Sequence, residues 1–342
     1  MRFLESIWCP IGLGIITTVL ILTSLLPSTH KPVLINSSTT QYHEGEEWVA
    51  PDDKDIPVDS TGDLIRYGKE LILNTSKYLG PKGLIANISN GMNCQNCHIN
   101  AGTQNFANPF SGVKNNYPKY RARSGKVESY VFRVNDCMQR SLNGQPLDSV
   151  SPEMRAMVAY VTWVGKDVPK GVMPAGMGVK IPQILDRAAD PSRGRLVFTN
   201  YCQRCHGPDG QGALNPDGTG YTYPPLWGEH SFNSSAGILR LSSLAGFIKN
   251  NMPYQEATWK SPKLTDEQAW DVAAYVASQP RPYKNFPYDW PDLSKKPFDC
   301  PNGPYTDGFS EEQHKYGPFT PIRNAKASSG SSSSKQSTTG LK

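Results

Sequence analysis

A mainly α-helical chain, built from two similar domains in tandem, is predicted by three observations on this 342-residue sequence. The pentapeptide Cys-x-x-Cys-His occurs twice, as CQNCH at 94–98 and CQRCH at 202–206. Each copy sits between two stretches whose apolar residues recur at three- and four-residue spacing, the pattern of a helix with one buried face. The tripeptide Ala-Tyr-Val recurs in both closing stretches, at 159–161 and 274–276. An apolar share of 37 % is enough for two cores of ordinary size. The formal charge of +5, from 35 basic and 30 acidic residues without long runs, excludes the basic stripe with which nucleic-acid-binding proteins grip phosphate.

Taken in order, residues 1–29 hold Arg2 and then the almost uncharged run IWCPIGLGIITTVLILTSLL at 7–26, about twenty residues and long enough to cross a bilayer as a helix. This reads as an export segment, a signal peptide or a membrane anchor. TSLLPSTHKP offers no small-x-small cleavage site, which favours the uncleaved anchor. From 30 to 60 the chain is polar and broken by Pro32, Pro51 and Pro57, as a tether would be. The first domain is expected over 61–170. It opens on DLIRYGKELILNTSKYL, with Leu64, Tyr67 or Gly68, Leu71 and Tyr78 or Leu79 at helical spacing. It closes on MRAMVAYVTWVG, preceded by Ser151 as N-cap and Pro152 at the first helical position.

The glycine- and proline-rich run 171–189 reads as the linker between domains. In the second domain, 190–280, SRGRLVFTN leads into Cys202, and TDEQAWDVAAYVASQ starts with Thr265 and Gln268 at capping-box spacing. Gly68 and Gly194 fall in the two leading helices, where a missing side chain lets an aromatic of the closing helix approach. Residues 281–322 are proline-rich with Trp290, Phe298, Tyr305 and Phe319, and read as an extended strap over the domain surfaces. Cys300 within it reads as an unreactive structural thiol. The serine-rich tail, 323–342, has little to bury and is expected to be disordered.

In an exported chain the repeated pentapeptide points to covalent haem. Two thiols add to the two vinyl groups of one porphyrin, and the adjacent histidine reaches the iron. A zinc ribbon wants two such pairs close together, and a redox dithiol has no use for the histidine. Cys94, Cys97 and His98, and likewise Cys202, Cys205 and His206, are therefore read as attachment residues and proximal ligands of two haem c groups. With these motifs and flanking helices, the stretch from about 60 to 280 resembles the class I cytochrome c fold twice over.

What fills the other axial position of each iron separates electron transfer from substrate chemistry. For the second haem, Met252 directly before Pro253 is the natural thioether ligand, a core methionine being its other reading. The first domain has no methionine before a proline ahead of its closing helix. NDCMQRS at 135–141 offers Cys137 and Met138 instead. From the residues alone, Cys137 is a ligand or a buried inert thiol, and Met138 is an equal candidate.

NTSKYLG, CQNCH, YPKYRARSG and FRVNDCMQRSLNG, in this order, resemble the thiosulfate dehydrogenase family, diheme enzymes that join two thiosulfates into tetrathionate. The resemblance implies that Cys137 is the distal ligand of the first haem and Met138 a packing neighbour. It further implies that Arg123 and Arg133 bind substrate and that Ser141 belongs to the active site. Some members carry a lysine just before the second haem's methionine; this chain has Asn251 there, which favours plain ligation by His206 and Met252. Thiosulfate is a small dianion, and two guanidinium forks suit its sulfonate oxygens. The expected function is thiosulfate dehydrogenase, reversible as tetrathionate reductase, with a c-type cytochrome or similar carrier as acceptor and no nucleic acid partner. The competing readings are a diheme subunit of a thiosulfate-oxidising multienzyme system and a plain diheme electron carrier. The expected compartment is the periplasm, with an inner-membrane anchor if 7–26 stays attached.

Overall fold

The computed structural model describes residues 45–336, so the export segment 1–29 and the tether up to residue 44 lie outside the described residues. The first domain is framed by α1 (Ser60–Leu73), α2 (Tyr130–Arg140) and α3 (Pro152–Val164). The second is framed by α4 (Pro191–Tyr201), α5 (Leu241–Asn251) and α6 (Asp266–Ser278). Two more helices, α7 (Glu311–Tyr316) and α8 (Phe319–Gln336), follow the strap. Among the described residues the sheet structure is two short antiparallel hairpins, β1 (Lys119–Arg121) with β2 (Lys126–Glu128) and β3 (Ala213–Leu214) with β4 (Tyr221–Tyr223). None of the described helices is long and apolar enough to cross a membrane.

The helix starts are set by local chemistry. Ser151 Oγ accepts from Met154 N at 3.1 Å with Pro152 at the first position, where a missing N–H costs nothing. Thr265 and Gln268 cap each other's backbone N–H at 2.9 and 3.1 Å, the reciprocal box expected from their spacing. Within each domain the leading helix crosses the closing helix at a glycine. A Cβ on Gly68 would lie 2.0 Å from Ala156 O and 2.8 Å from Tyr160 Cβ; one on Gly194 would lie 1.9 Å from Asp271 O and 2.8 Å from Tyr275 Cβ. The Tyr160 hydroxyl then donates to Ala101 O at 3.0 Å, tying the chain just after His98 to the helix crossing. Tyr275 instead packs on Phe198 and Trp227 in the second core.

Three expectations are altered. In the leading helix Gly68 and Leu71 are buried as expected, with Ile65 and Ile72, but Leu64 is exposed and Ile65, one position on, faces the core in its place. The described part of the tether joins the first core: Trp48 and Ile56 are buried, and residues 46–48 pair with Ala175 through Ala175 N to Glu46 O at 2.7 Å. The strap and tail are not wholly extended or structureless, since α8 runs through the serine-rich stretch to Gln336. Phe319 and Ile322, three residues apart on one face, are buried in the second core with Trp270, and this contact nucleates a helix in a sequence with little propensity of its own.

The domains meet at the end of α5. Asn251, 1 % exposed, accepts from Gln104 Nε2 at 2.8 Å and donates to Phe106 O and Phe247 O, both at 3.0 Å. Ile99, Ala107 and Phe247 form a small apolar cluster beside it, with Met252 packed against them. Truncating Asn251 to alanine strands the buried carbonyls and the Gln104 amide. The expected cost is about 2 kcal/mol, read as a lower urea midpoint of the holoprotein.

Candidate functional site

Each attachment motif folds so that its histidine ring is fixed by a backbone carbonyl. His98 Nδ1 lies 2.6 Å from Asn108 O and His206 Nδ1 lies 2.8 Å from Pro224 O. A ring nitrogen held this way leaves Nε2 free for a metal, with the tautomer set by the hydrogen bond. Burial pushes His98 down to about 4 and His206 in the same direction, so both rings stay neutral as iron ligation requires. His98 also stacks on Phe110 with ring centroids 4.6 Å apart.

The first motif opens onto an apolar cavity lined by Cys94, Cys97 and His98 together with Phe110, Val134 and Met138. Two thiols, a neutral imidazole and an apolar wall in one cavity fit a covalently attached haem. At the second motif Cys202 and Met252 pack against the same buried cluster, which includes Trp227, Ile248 and Phe198. This set fits a second haem, with a thioether available for its iron.

Cys137 sits on α2, a helix begun by Ser129, whose Oγ accepts from Phe132 N at 3.2 Å. Arg133, Asp136, Cys137 and Arg140 occupy positions that share one helix face. Met138, one step and about 100° further round, is 1 % exposed and belongs to the first core. Cys137 lines both the apolar cavity and a second, adjoining one, whereas Met138 lines only the first. Both neighbours thus line the apolar cavity, and only Cys137 also lines the arginine-rich one.

The adjoining cavity, about 260 Å³, is lined by His98, Cys137 and Ser141 and by five arginines: Arg121, Arg123, Arg133, Arg140 and Arg240. Asp136 is the only acidic residue on its wall among the described residues. It is smaller than the roughly 300–1,000 Å³ of drug-sized pockets and suits small anions. Arg133 Nη1 donates to Cys137 Sγ and to Asp136 Oδ2, each at 3.1 Å. The Cys137 sulfur beside it raises Arg133 above the ordinary guanidinium range. Burial, and then the Arg140 guanidinium, pull Arg123 below that range. Such a cluster is short of negative charge and is relieved by an anion.

Arg123 sits in the tight turn between β1 and β2, where its Nη1 donates to Ser235 O at 3.2 Å and its guanidinium lies 5.4 Å from the Trp290 ring. Arg140 is fully engaged: it bonds Asp136, forks onto Asp289 with two contacts of 2.7 Å, and lies 3.7 Å from the Phe286 ring. Ser141 follows α2 with its N–H on Cys137 O at 2.9 Å and lines the same cavity.

The structure therefore gathers Arg123, Arg133, Cys137 and Ser141 beside His98, and sets His206 and Met252 in the other domain. Sequence reading missed Arg121, Arg140 and Arg240 and the strap residues Asp289 and Trp290. Arg140 carried a faint signal, since it follows Asp136 by one helical turn; Arg240 and Asp289 carried none.

Comparison with known proteins follows the same division. Residues 85–169 match the family described as SoxA/TsdA, cytochrome c domain, and residues 191–280 match cytochrome c. The chain is 39 % identical over 244 residues to the thiosulfate dehydrogenase of Psychrobacter arcticus, covering 71 % of each protein. It is also 39 % identical over 232 residues to that of Allochromatium vinosum, covering 66 % of this chain and 82 % of the relative. Among solved structures, the thiosulfate dehydrogenase (TsdBA) of Marichromatium purpuratum, as isolated, superposes with a TM-score of 0.63 at 29 % identity; the match takes in 69 % of this chain and 50 % of that longer one.

Proposed function

The chain belongs to the thiosulfate dehydrogenase family, and from that premise we propose that it joins two thiosulfates into tetrathionate at Cys137, the electrons leaving through the second domain. It oxidises thiosulfate, carries two covalent haem c groups and passes electrons to an acceptor. Cys94, Cys97 and His98 would hold the first haem, with Cys137 as distal ligand; Cys202, Cys205, His206 and Met252 would hold the second. When bound, the two haems supply two one-electron acceptors, which matches the two electrons released per tetrathionate.

The observation that carries the reading is Cys137 Sγ, 3.1 Å from Arg133 Nη1, on the wall of a cavity rich in arginine. Arg123 and Arg133 hold the sulfonate of the first thiosulfate and turn its outer sulfur toward Cys137. A sulfur–sulfur bond forms between the thiolate and that outer sulfur, two electrons depart, and three negative charges become one. A second thiosulfate attacks the same outer sulfur, its new bond replacing the bond to Cys137. Tetrathionate and the Cys137 thiolate leave, and Arg133 stabilises the departing thiolate. Ser141 adds a hydrogen bond to the bound anion. Every step reverses, so the same residues serve tetrathionate reduction.

Purified holoprotein given thiosulfate and ferricyanide, and separately tetrathionate and a reduced dye, tests the reaction and its direction. Tetrathionate made by the isolated chain supports the enzyme; a requirement for a separate sulfur-carrier protein would favour the multienzyme subunit. Met252→Gly is expected to move the potential of the second haem and leave thiosulfate binding in the first domain intact; an unchanged redox titration of both haems would remove Met252 as a ligand. The acceptor is an external c-type cytochrome or a similar carrier. Because covalent haem attachment is completed outside the cytoplasm, the domains face the periplasm, anchored to the inner membrane by 7–26. Recovery only in the soluble periplasmic fraction, with an N-terminus beyond residue 26, would refute the anchor.

A further inference from the structure

The reaction needs two anions in one cavity. In tetrathionate the two sulfonates stand at opposite ends of the sulfur chain, so the second thiosulfate must approach the Cys137-bound sulfur with its own sulfonate pointing away from Arg123 and Arg133. Without a cation there, the attack would drive a dianion toward an anion already held.

Among the described residues, Arg240 is the one arginine on the cavity wall that comes from the second domain. It precedes α5 and is fixed by Asp299 of the strap, whose Oδ1 receives Nε at 2.8 Å and lies 2.7 Å from Nη2. Asp299 is fully buried, and its other oxygen is taken by Ser242 N at 3.0 Å and by Ser242 Oγ. The carboxylate is thus saturated, and Arg240 Nη1 has no partner among the described residues. Arg140, by contrast, has its fork closed on Asp289. Arg240 also lines a larger cavity walled by the strap, which shares Arg123, Asp136, Arg140 and Trp290 with the first and includes the exposed Asn302 on its lining. It thus lines both cavities.

We propose that Arg240 binds the sulfonate of the second thiosulfate, and the far sulfonate of tetrathionate in the reverse direction, so that the second domain completes the active site. The proposal rests on the reading of Cys137 as the sulfur that carries the first thiosulfate.

The test uses full-length holoprotein and separates the half-reactions. The Cys137 adduct is formed with ferricyanide and limiting thiosulfate and followed by intact-protein mass spectrometry; its discharge by added thiosulfate is then timed. Arg240→Gln is expected to form the adduct as the wild type does, to discharge it about tenfold more slowly or worse, and to raise the apparent KM for both thiosulfate and tetrathionate. Arg240→Lys recovers most of the loss, and the first haem's potential stays unchanged. Wild-type discharge by Arg240→Gln, or an equal loss of adduct formation, overturns the proposal. So does a shifted first-haem potential, which would make Arg240 a propionate partner. In wild-type protein, sulfate, an unreactive dianion, should compete with the discharging thiosulfate; absence of competition overturns the proposal even if the variants fail to fold. Wild-type turnover with no adduct would sink the Cys137 reading instead, and Arg240 would then stand or fall on loss of the sulfate competition in Arg240→Gln steady-state assays.

Discussion

A Cys137→Ala protein is expected to keep both covalent haems and to lose about a thousandfold or more of its turnover, roughly 4 kcal/mol of transition-state stabilisation. The substitution touches none of Cys94, Cys97, Cys202 and Cys205, the cysteines proposed to carry the haems. What is lost is, among the described residues, the only sulfur on the wall of the arginine-lined cavity besides Cys97, the proposed thioether of the first haem. Cys137→Met is expected to fare no better, because a thioether can ligate iron but has no free valence for the adduct. Both variants should lose the low-spin thiolate signature from the electron paramagnetic spectrum. Met138→Leu, a volume-conserving change in the first core, should cost under about 1.5 kcal/mol of stability and leave turnover nearly intact. Near-normal turnover by Cys137→Ala would end the catalytic claim. Loss of low-spin ligation only on replacing Met138 would show that the adjacent sulfur is the ligand.

The second large effect is structural. Gly68→Ala and Gly194→Ala each put a methyl group about 2 Å from a backbone carbonyl oxygen of the partner helix, at Ala156 and Asp271. Helix propensity alone would favour alanine by about 1 kcal/mol. The clash is with main chain inside a helix, which cannot swing aside as a flexible side chain can, so the two helices must separate. Overpacking of this kind costs about 1–3 kcal/mol and occasionally more, and with a backbone atom as the obstacle the net effect is expected near 3 kcal/mol of destabilisation in either domain. Thermal unfolding of the holoprotein followed at a haem absorbance band checks it. Gly68→Ala should also loosen the chain that Tyr160 ties down after His98, so its effect on the first haem's spectrum should exceed that of Gly194→Ala on the second. A variant as stable as wild type would mean that the helices can slide apart without loss.

The two domains, their helices and both attachment motifs were legible because each is written locally. A capping residue, a 3.6-residue period and a five-residue covalent motif are complete within one or two turns of chain. Even Gly68 and Gly194 could be found from their places in matched patterns. Local reading could not tell Cys137 from Met138, since both sulfurs are adjacent in sequence; the orientation of α2 buries Met138 in the first core and places Cys137 alone of the two on the arginine-lined cavity. The boundaries at the tether and tail were misread for a related reason. Trp48, Ile56, Phe319 and Ile322 look isolated among polar residues, and only distant partners in the two cores make them core residues.

By itself, then, the sequence determined a tandem of two haem-binding helical domains and the residues of Arg123, Arg133, Cys137 and Ser141 as a candidate set. Tertiary structure alone decided that these face one small cavity, that Arg140 is locked by Asp289, and that Arg240 and the strap close the chamber from the other domain. The physical reason is range. Covalent attachment and helix formation are decided within a few residues, whereas the field at a bound dianion is the sum over guanidinium and carboxylate groups brought together from 121–140, 240, 289 and 299, and that sum exists only once the chain has folded.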